Sequence, residues 1–268
     1  TSPLATALAE IQAAGFTAVD LAAIPGFCPH FDPVRASPQE WDELPALLAR
    51  FGLQVVTVTA VPGHFNQPGA DPAAILRRAE RYLQLAELLG VPSINLHCGM
   101  PVDNRQDFRQ HVQRQAQGLK KIAQRADSLG LRVNLEAPHR NGLCRTVGEA
   151  EFLLEQIGEE NVDLLLDTSH LVAARIQPED AVRRFAERIG HVHLRDAKGH
   201  NIFLTPGDGE VNFPRFFEAL DDADYNGWCA LELENRFESL QDRRRQLERA
   251  LEFLLEQADI ASGVDFTR

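Results

Sequence analysis

The chain has 268 residues, 44% of them hydrophobic and 25% charged, which is ordinary globular composition and enough for one large core. A net charge of -12 and a pI near 5.2 repel phosphate backbones, so nucleic acid is not the expected partner. No run of about 18 apolar residues occurs, so no membrane span is expected, and Cys28, Cys98, Cys144 and Cys229 form no CxxC pair and sit in or beside apolar segments, which reads as reduced core thiols of a cytoplasmic protein.

The opening "TSPLATALAEIQAAG" is a helical pattern rather than a signal peptide. A β-rich run follows at "FTAVDLAA" (16–23). "SPQEWDELPALLARFG" (37–52) starts with Ser37, Pro38 and Glu40, a helix-start signature, and Pro45 is expected to end or kink that helix early. The second strand is "LQVVTVTA" (53–60). Residues 70–90 form a helix with apolar Ile75, Ala79, Leu83 and Ala86 on one face and Gly90 as its stop. The alternation continues with a strand at 91–99, an amphipathic helix at 103–130 and a strand at 131–138. A helix over 146–158 opens with Thr146 and Glu149 at capping-box spacing. Then come a strand at 162–170, a helix at 178–189, a strand at 190–197, a helix at 213–222, a strand at 228–235 and a helix at 238–258.

Most of these strands are continuous apolar runs, as expected for strands covered on both faces. Strands alternating with helices imply right-handed crossovers and a parallel sheet. Length divided by ~150 suggests two domains, but α/β barrels of about 250 residues are common and no Gly-, Ser- or Pro-rich boundary divides the chain. The fold class is therefore α/β, a single (β/α)8 TIM-barrel domain over 1–268 whose first strand is missing. An open doubly wound sheet is the alternative, but it usually carries a Gly-rich phosphate turn, and neither GxGxxG nor GxxxxGK[ST] occurs.

Chemistry in parallel α/β folds sits at the carboxyl ends of strands. His64, His97, Glu136, Asp167, His193, and Glu232 with Glu234, all fall there. Most have a plain structural explanation: Asp167 as the cap of a following turn, His193 as a hydrogen-bonded core histidine, His64 and His97 as a hydrogen-bonded rim, one of Glu232 and Glu234 as a salt-bridge partner or solvated end. Glu136, after four strand residues inside a core, needs a partner. Together the explanation changes. Three carboxylates at close range repel and take up protons unless a cation sits among them. One carboxylate or imidazole on each of four successive strands suits a divalent metal, Mn²⁺, Mg²⁺ or Co²⁺ first and Zn²⁺ second. On that view the cap explanation for Asp167 falls behind. Glu232 and Glu234, two apart in a strand, face one side, and either qualifies as the fourth ligand.

The motifs "NLEAPH", "LLLDTSH", "HVHLRD", "PGDGEVNF" and "GWCALELEN", in this order, resemble the sugar phosphate isomerase/epimerase family with the xylose isomerase-like barrel, over roughly residues 8–258. That family includes ketose 3-epimerases, inosose isomerases and dehydratases, hydroxypyruvate isomerases and, more distantly, endonuclease IV. The resemblance implies one divalent metal ion held by Glu136, Asp167, His193 and Glu232, and Glu232 is chosen over Glu234 on that ground alone. It also implies Glu136 and Glu232 as the acid/base pair and His170 as a substrate contact. Arg195 and Lys198 fall where substrate or phosphate contacts often lie; an ion pair with Asp196 or another loop carboxylate is the equal alternative for Arg195. His64 and His97 complete the substrate side.

The implied activity is isomerisation or epimerisation of a sugar, sugar phosphate or related polyol ketone through an enediolate. The alternative is dehydration of an inosose or dehydroshikimate-like substrate on the same site. A nuclease, for which the charge is wrong, and a non-catalytic binding domain stand further off. The partner is a small carbohydrate, with neither nucleic acid nor membrane, and a homodimer is compatible with the resemblance. The early loops 24–36, 61–70 and 99–105 are expected to set specificity, with Phe27, His30, Phe31, His64 and Phe65 either lining the pocket or packing. Without its first strand the barrel is expected to show an open seam, unfavourable unless covered, and an upstream segment carrying that strand is expected.

Overall fold

The computed structural model describes residues 3–234, 237 and 239–261. The expectations at 1–2, 235, 238 and 262–268 lie outside the described residues. In chain order the elements are α1 (Leu4–Ala13), β1 (Ala18–Ile24), β2 (Cys28–Pro29), α2 (Pro38–Ala49), β3 (Gln54–Ala60), α3 (Pro72–Leu89), β4 (Ser93–His97), α4 (Phe108–Asp127), β5 (Arg132–Glu136) and α5 (Val147–Ile157). They continue with β6 (Val162–Asp167), α6 (Thr168–Ala173), α7 (Pro178–Phe185), β7 (Ile189–Leu194), β8 (Asp196–Lys198), β9 (Asn201–Leu204), α8 (Phe213–Asp222), β10 (Cys229–Leu231) and α9 (Leu240–Ala261). No described helix is long and apolar enough to cross a membrane.

The sheet runs β10-β7-β6-β5-β4-β3-β1-β2. Every neighbouring pair is parallel except the short return strand β2 against β1. This is a seven-strand, nearly closed TIM barrel. Its seven parallel strands are the seven apolar runs of the sequence. The hairpin of β8 and β9, and the helix α6 that starts directly after β6, have no apolar periodicity of their own and were not expected.

Among the described residues β10 and β1 do not pair, so the expected seam is present. It is covered on both sides. Outside, α1 meets α9, where Arg244 pairs with Glu10 at 3.0 Å. Inside, Asp20 of β1 reaches across to His191 and His193 of β7 at 2.7 and 3.1 Å.

The helices begin and end where the chemistry of their ends dictates. Asp71 caps α3 by accepting from the Ala74 N–H, and Gly90 ends it in the left-handed region at φ 65°. Ile75, Ala79, Tyr82, Leu83 and Ala86 are buried, and each large aliphatic side chain so buried contributes about 1.5–3 kcal/mol. Ser37 and Glu40 form a complete capping box. Thr146 caps α5 through the Glu149 N–H, but Glu149 reaches back to the Arg145 N–H, one residue earlier than a capping box requires. Pro45 does not end α2, which runs on to Ala49. The lost hydrogen bond costs up to about 3 kcal/mol, and burial of Leu44 and Leu48 on either side of Pro45 is of the size needed to offset it.

Inside the barrel, alternate residues of each strand point to the axis. The layer beneath the mouth is polar. Asn134 donates to Ser93 Oγ and Asn95 Oδ1 at 3.1 and 2.9 Å, and Thr57 donates to the Ser93 carbonyl at 2.9 Å. Gly190 of β7 makes room for this layer, since a Cβ there would stand 2.1 Å from Asn134 Oδ1. Asn134 is tied by its amide and cannot swing aside. Gly190→Ala is therefore expected to cost about 1–3 kcal/mol of stability by overpacking, read by denaturant unfolding. An unchanged midpoint would show that the layer yields.

Candidate active site at the barrel mouth

The strand ends deliver the predicted side chains to one place. Glu136 ends β5, Asp167 ends β6, His193 lies near the end of β7 and Glu232 follows β10. Registers pair His97 with Glu136 and Asp167 with His193. One ligand-type atom each from Glu136, Asp167 and His193 lies within 4.8 Å of the others. His193 Nδ1 stands 3.2 Å from Glu232 Oε2. Both atoms are buried and neither has a hydrogen-bond partner.

Asp167 does two things with two oxygens. Oδ1 accepts from the Ser169 and His170 N–H groups at 2.7 and 3.1 Å and from the Ser169 hydroxyl, capping α6. The capping role is therefore present and compatible with ligation, because Oδ2 remains. Oδ2 accepts from Arg195 at 2.7 Å. The Arg195 side chain is 2% exposed; it also donates to Ser169 Oγ at 2.9 Å and pairs with Glu234, with Glu232 3.6 Å away. Its partners are thus site carboxylates rather than Asp196. That residue instead accepts from the Gly207, Gly209 and Val211 N–H groups and pins the "PGDGEV" loop. Lys198 is exposed on the hairpin.

The charges do not balance without help. Burial first, then Glu232 and Asp167, push the Glu136 carboxyl up to about 8. Burial also opposes ionisation of Asp167, but Arg195, His170 and His193 outweigh it and hold that carboxyl well below the usual range. His193 is disfavoured as a cation by burial, yet Glu232 and Asp20 raise it well above the usual imidazole range. Crowded carboxylates, a Glu pushed toward protonation and two buried ligand-type atoms facing each other without a well-formed hydrogen bond suit a cation site. The residues present fit a divalent metal.

Sequence reasoning missed three residues here. Asp20 accepts from Nε2 of both His191 and His193. It therefore fixes the His193 ring with Nδ1 toward Glu232, the nitrogen a metal would take. Asp20→Asn is expected to weaken divalent-metal affinity about 10–100-fold, as loss of a ligand-orienting partner does; calorimetric titration giving the parent affinity would contradict this. His139, three residues beyond the end of β5, is the third. Its ring lies 3.6 Å from that of His170 and 4.4 Å from that of His97, and His97 lies 5.1 Å from His64, so four imidazoles line one side of the mouth. Burial lowers His64; burial, then His64 and His170, lower His97 to about 3. The early aromatics divide: Phe31 packs edge-on against Trp41 and Phe65 is buried against Gly118, while Phe27 is exposed.

Comparison with known proteins places this arrangement. The family described as xylose isomerase-like TIM barrel matches residues 8–257. An inosose dehydratase of Lacticaseibacillus casei is 29% identical over 140 residues, 46% of this chain and 47% of that protein. One from Clostridium beijerinckii is 31% identical over 137 residues, 44% and 46% respectively. The chain thus spans about half the length of the curated relatives it matches. A xylose isomerase domain protein of Alicyclobacillus acidocaldarius superposes with a TM-score of 0.79 at 22% identity, covering 98% and 96% of the two chains. A D-psicose 3-epimerase from Clostridium cellulolyticum, solved with D-tagatose, gives 0.73 at 22% identity, covering 96% and 94%. Seven parallel strands, ligand-type residues at the ends of four of them and a family match across nearly the whole chain agree: the protein belongs to the xylose isomerase-like TIM barrel family.

Proposed function

We propose that this chain is a divalent-metal-dependent isomerase or epimerase of a sugar, sugar phosphate or related polyol ketone. The observation that carries this reading is the convergence of Glu136, Asp167 and His193, with buried Glu232 Oε2 set 3.2 Å from His193 Nδ1. These four would hold one Mn²⁺, Mg²⁺ or Co²⁺ ion, Zn²⁺ being the less fitting choice. When bound, such an ion supplies Lewis acidity toward the substrate carbonyl and offsets the charge of an enediolate.

The chain's own groups do the rest. Glu136 and Glu232 are the carboxylates that take and return the proton beside the carbonyl. Their environments push them in opposite directions, Glu136 upward and Glu232 downward, which suits one as acid and the other as base. In both, burial comes first and acts upward; in Glu232 it is outweighed by Arg195 and His193. Arg195 holds Asp167 and Glu234 in place, and His170, with His64 and His97, faces the substrate.

A lyase on the same site is the second reading, favoured by the inosose dehydratases among the relatives. There the same proton abstraction is followed by departure of a β-hydroxyl. The test is a panel of ketoses, inososes and hydroxypyruvate in D₂O, after chelation and with Mn²⁺, Mg²⁺ or Co²⁺ restored. Solvent deuterium in a rearranged product supports isomerase or epimerase chemistry. An unsaturated product, seen by ultraviolet absorbance, supports the lyase. Absence of both in the metal-loaded protein contradicts the proposal.

A further inference from the structure

We infer that His139, together with His97, donates a hydrogen bond from Nε2 to a substrate oxygen at the mouth, and that the grouping of Glu136, His139 and His170 is not a second cation site. The inference rests on the mouth being the substrate site.

Glu136, His139 and His170 bring ligand-type atoms within 4.8 Å of one another, and distance alone would make them a metal site. The hydrogen atoms decide otherwise. The Asn141 N–H donates to His139 Nδ1 at 3.1 Å. A nitrogen that accepts a hydrogen bond bears no hydrogen, so the ring of a neutral His139 carries its hydrogen on Nε2. Nε2 is the atom facing Glu136, 3.7 Å from Oε1. A metal there would have to displace that hydrogen and leave an imidazolate, while Nδ1 stays occupied by the backbone. The same device recurs on the next strand: the Gly99 N–H donates to His97 Nδ1 at 3.1 Å. One histidine at the end of β4 and one in the loop after β5 are thus locked by the backbone two residues later, both as neutral Nε2 donors. His170 stands apart, because its Nε2 accepts from Arg195 at 3.1 Å, which places its hydrogen on Nδ1.

Neutral donors suit this position. They do not repel a divalent cation beside Glu136, as imidazolium would. Pre-oriented N–H groups stabilise an oxygen on which negative charge develops. With Nε2 of His139 so close to Glu136, a hydroxyl or carbonyl oxygen on the carbon that Glu136 serves falls within reach of both. The ligand atom is an uncharged oxygen rather than a phosphate, which would call for cations.

Three measurements test this. Nitrogen-15 NMR of the histidine rings in the metal-free protein is expected to show His97 and His139 as neutral Nε2–H tautomers; Nδ1–H tautomers would overturn the inference. Titration with Mn²⁺ is expected to give one equivalent in the parent and in His139→Asn; a second equivalent lost in His139→Asn would overturn it. On a substrate found in the panel, His139→Asn, whose amide mimics Nδ1, is expected to lose about 100-fold in kcat/KM. His139→Gln, whose amide mimics Nε2, is expected to stay within about tenfold of the parent on the same scale. Equal losses in both would overturn the donor role. If no substrate in the panel turns over, the proposed function fails while tautomer and stoichiometry still decide this inference.

Discussion

Glu136→Gln and Glu232→Gln are each expected to lower turnover on a confirmed substrate by about 10³-fold or more, while the protein stays folded. Both changes keep the size of the side chain and remove its charge. Loss of a positioned general acid or base alone costs about 10²–10⁴-fold, and here the same groups are also ligands. The fold should tolerate the loss at Glu136, because burial and the charges of Glu232 and Asp167 already push that carboxyl toward its neutral form. The unfolding midpoint of Glu136→Gln should therefore stay near the parent, while that of Glu232→Gln, which removes a charge held ionised by Arg195 and His193, should fall somewhat below it. Calorimetry should show weakened metal binding in both. If both variants kept full turnover, the acid/base assignment would be wrong.

Asp167→Ala is expected to be the most destabilising single change at the site, by about 4 kcal/mol. Its Oδ2 is the 2.7 Å partner of a guanidinium whose side chain is only 2% exposed. Removing one member of a buried pair leaves the other charge uncompensated, at a cost of about 3–5 kcal/mol. Arg195 keeps Glu234 and Ser169, so the lower part of that range applies. Loss of the cap on α6 adds about 1 kcal/mol. Against a total stability of about 5–15 kcal/mol, this brings the protein close to unfolding at ordinary temperature. Asp167→Asn keeps the capping oxygen and removes the charge, and should cost about half as much. Chemical denaturation measures both, and equal stability of Asp167→Ala and the parent would show that Arg195 does not depend on Asp167.

Much of this was legible in the sequence, for reasons that also mark where legibility ends. The seven parallel strands declare themselves because each is a continuous apolar run covered on both faces. Glu136, Asp167, His193 and Glu232 stood out because a charge at the end of such a run needs an explanation. Pro45 misled because local propensity says stop, whereas burial of Leu44 and Leu48 says continue. Asp20 escaped notice inside "FTAVDLAA", where one carboxylate in an early strand looks like a solvated edge; its partners His191 and His193 are over 170 residues away. A rule of two would have found part of it. Counting back two residues from His193, Glu136 and His97 lands on His191, Asn134 and Asn95, the polar layer below the mouth. His139 had no such signal, since it lies past the strand end, where a loop and not a ladder sets its direction. The split role of Asp167 was hidden for another reason: a sequence shows one aspartate, and only coordinates show two oxygens with different partners.

The most direct test is a calorimetric titration of chelator-treated protein with Mn²⁺ at several pH values. One equivalent is expected to bind and to vanish in His193→Gln. Because the bare site holds Glu136 up to about 8 and His193 well above the usual imidazole range, binding near neutral pH must expel protons from both ligands, so affinity should rise with pH through 8. No binding, or binding that persists unchanged in His193→Gln, would contradict a metal centre at the mouth of this barrel.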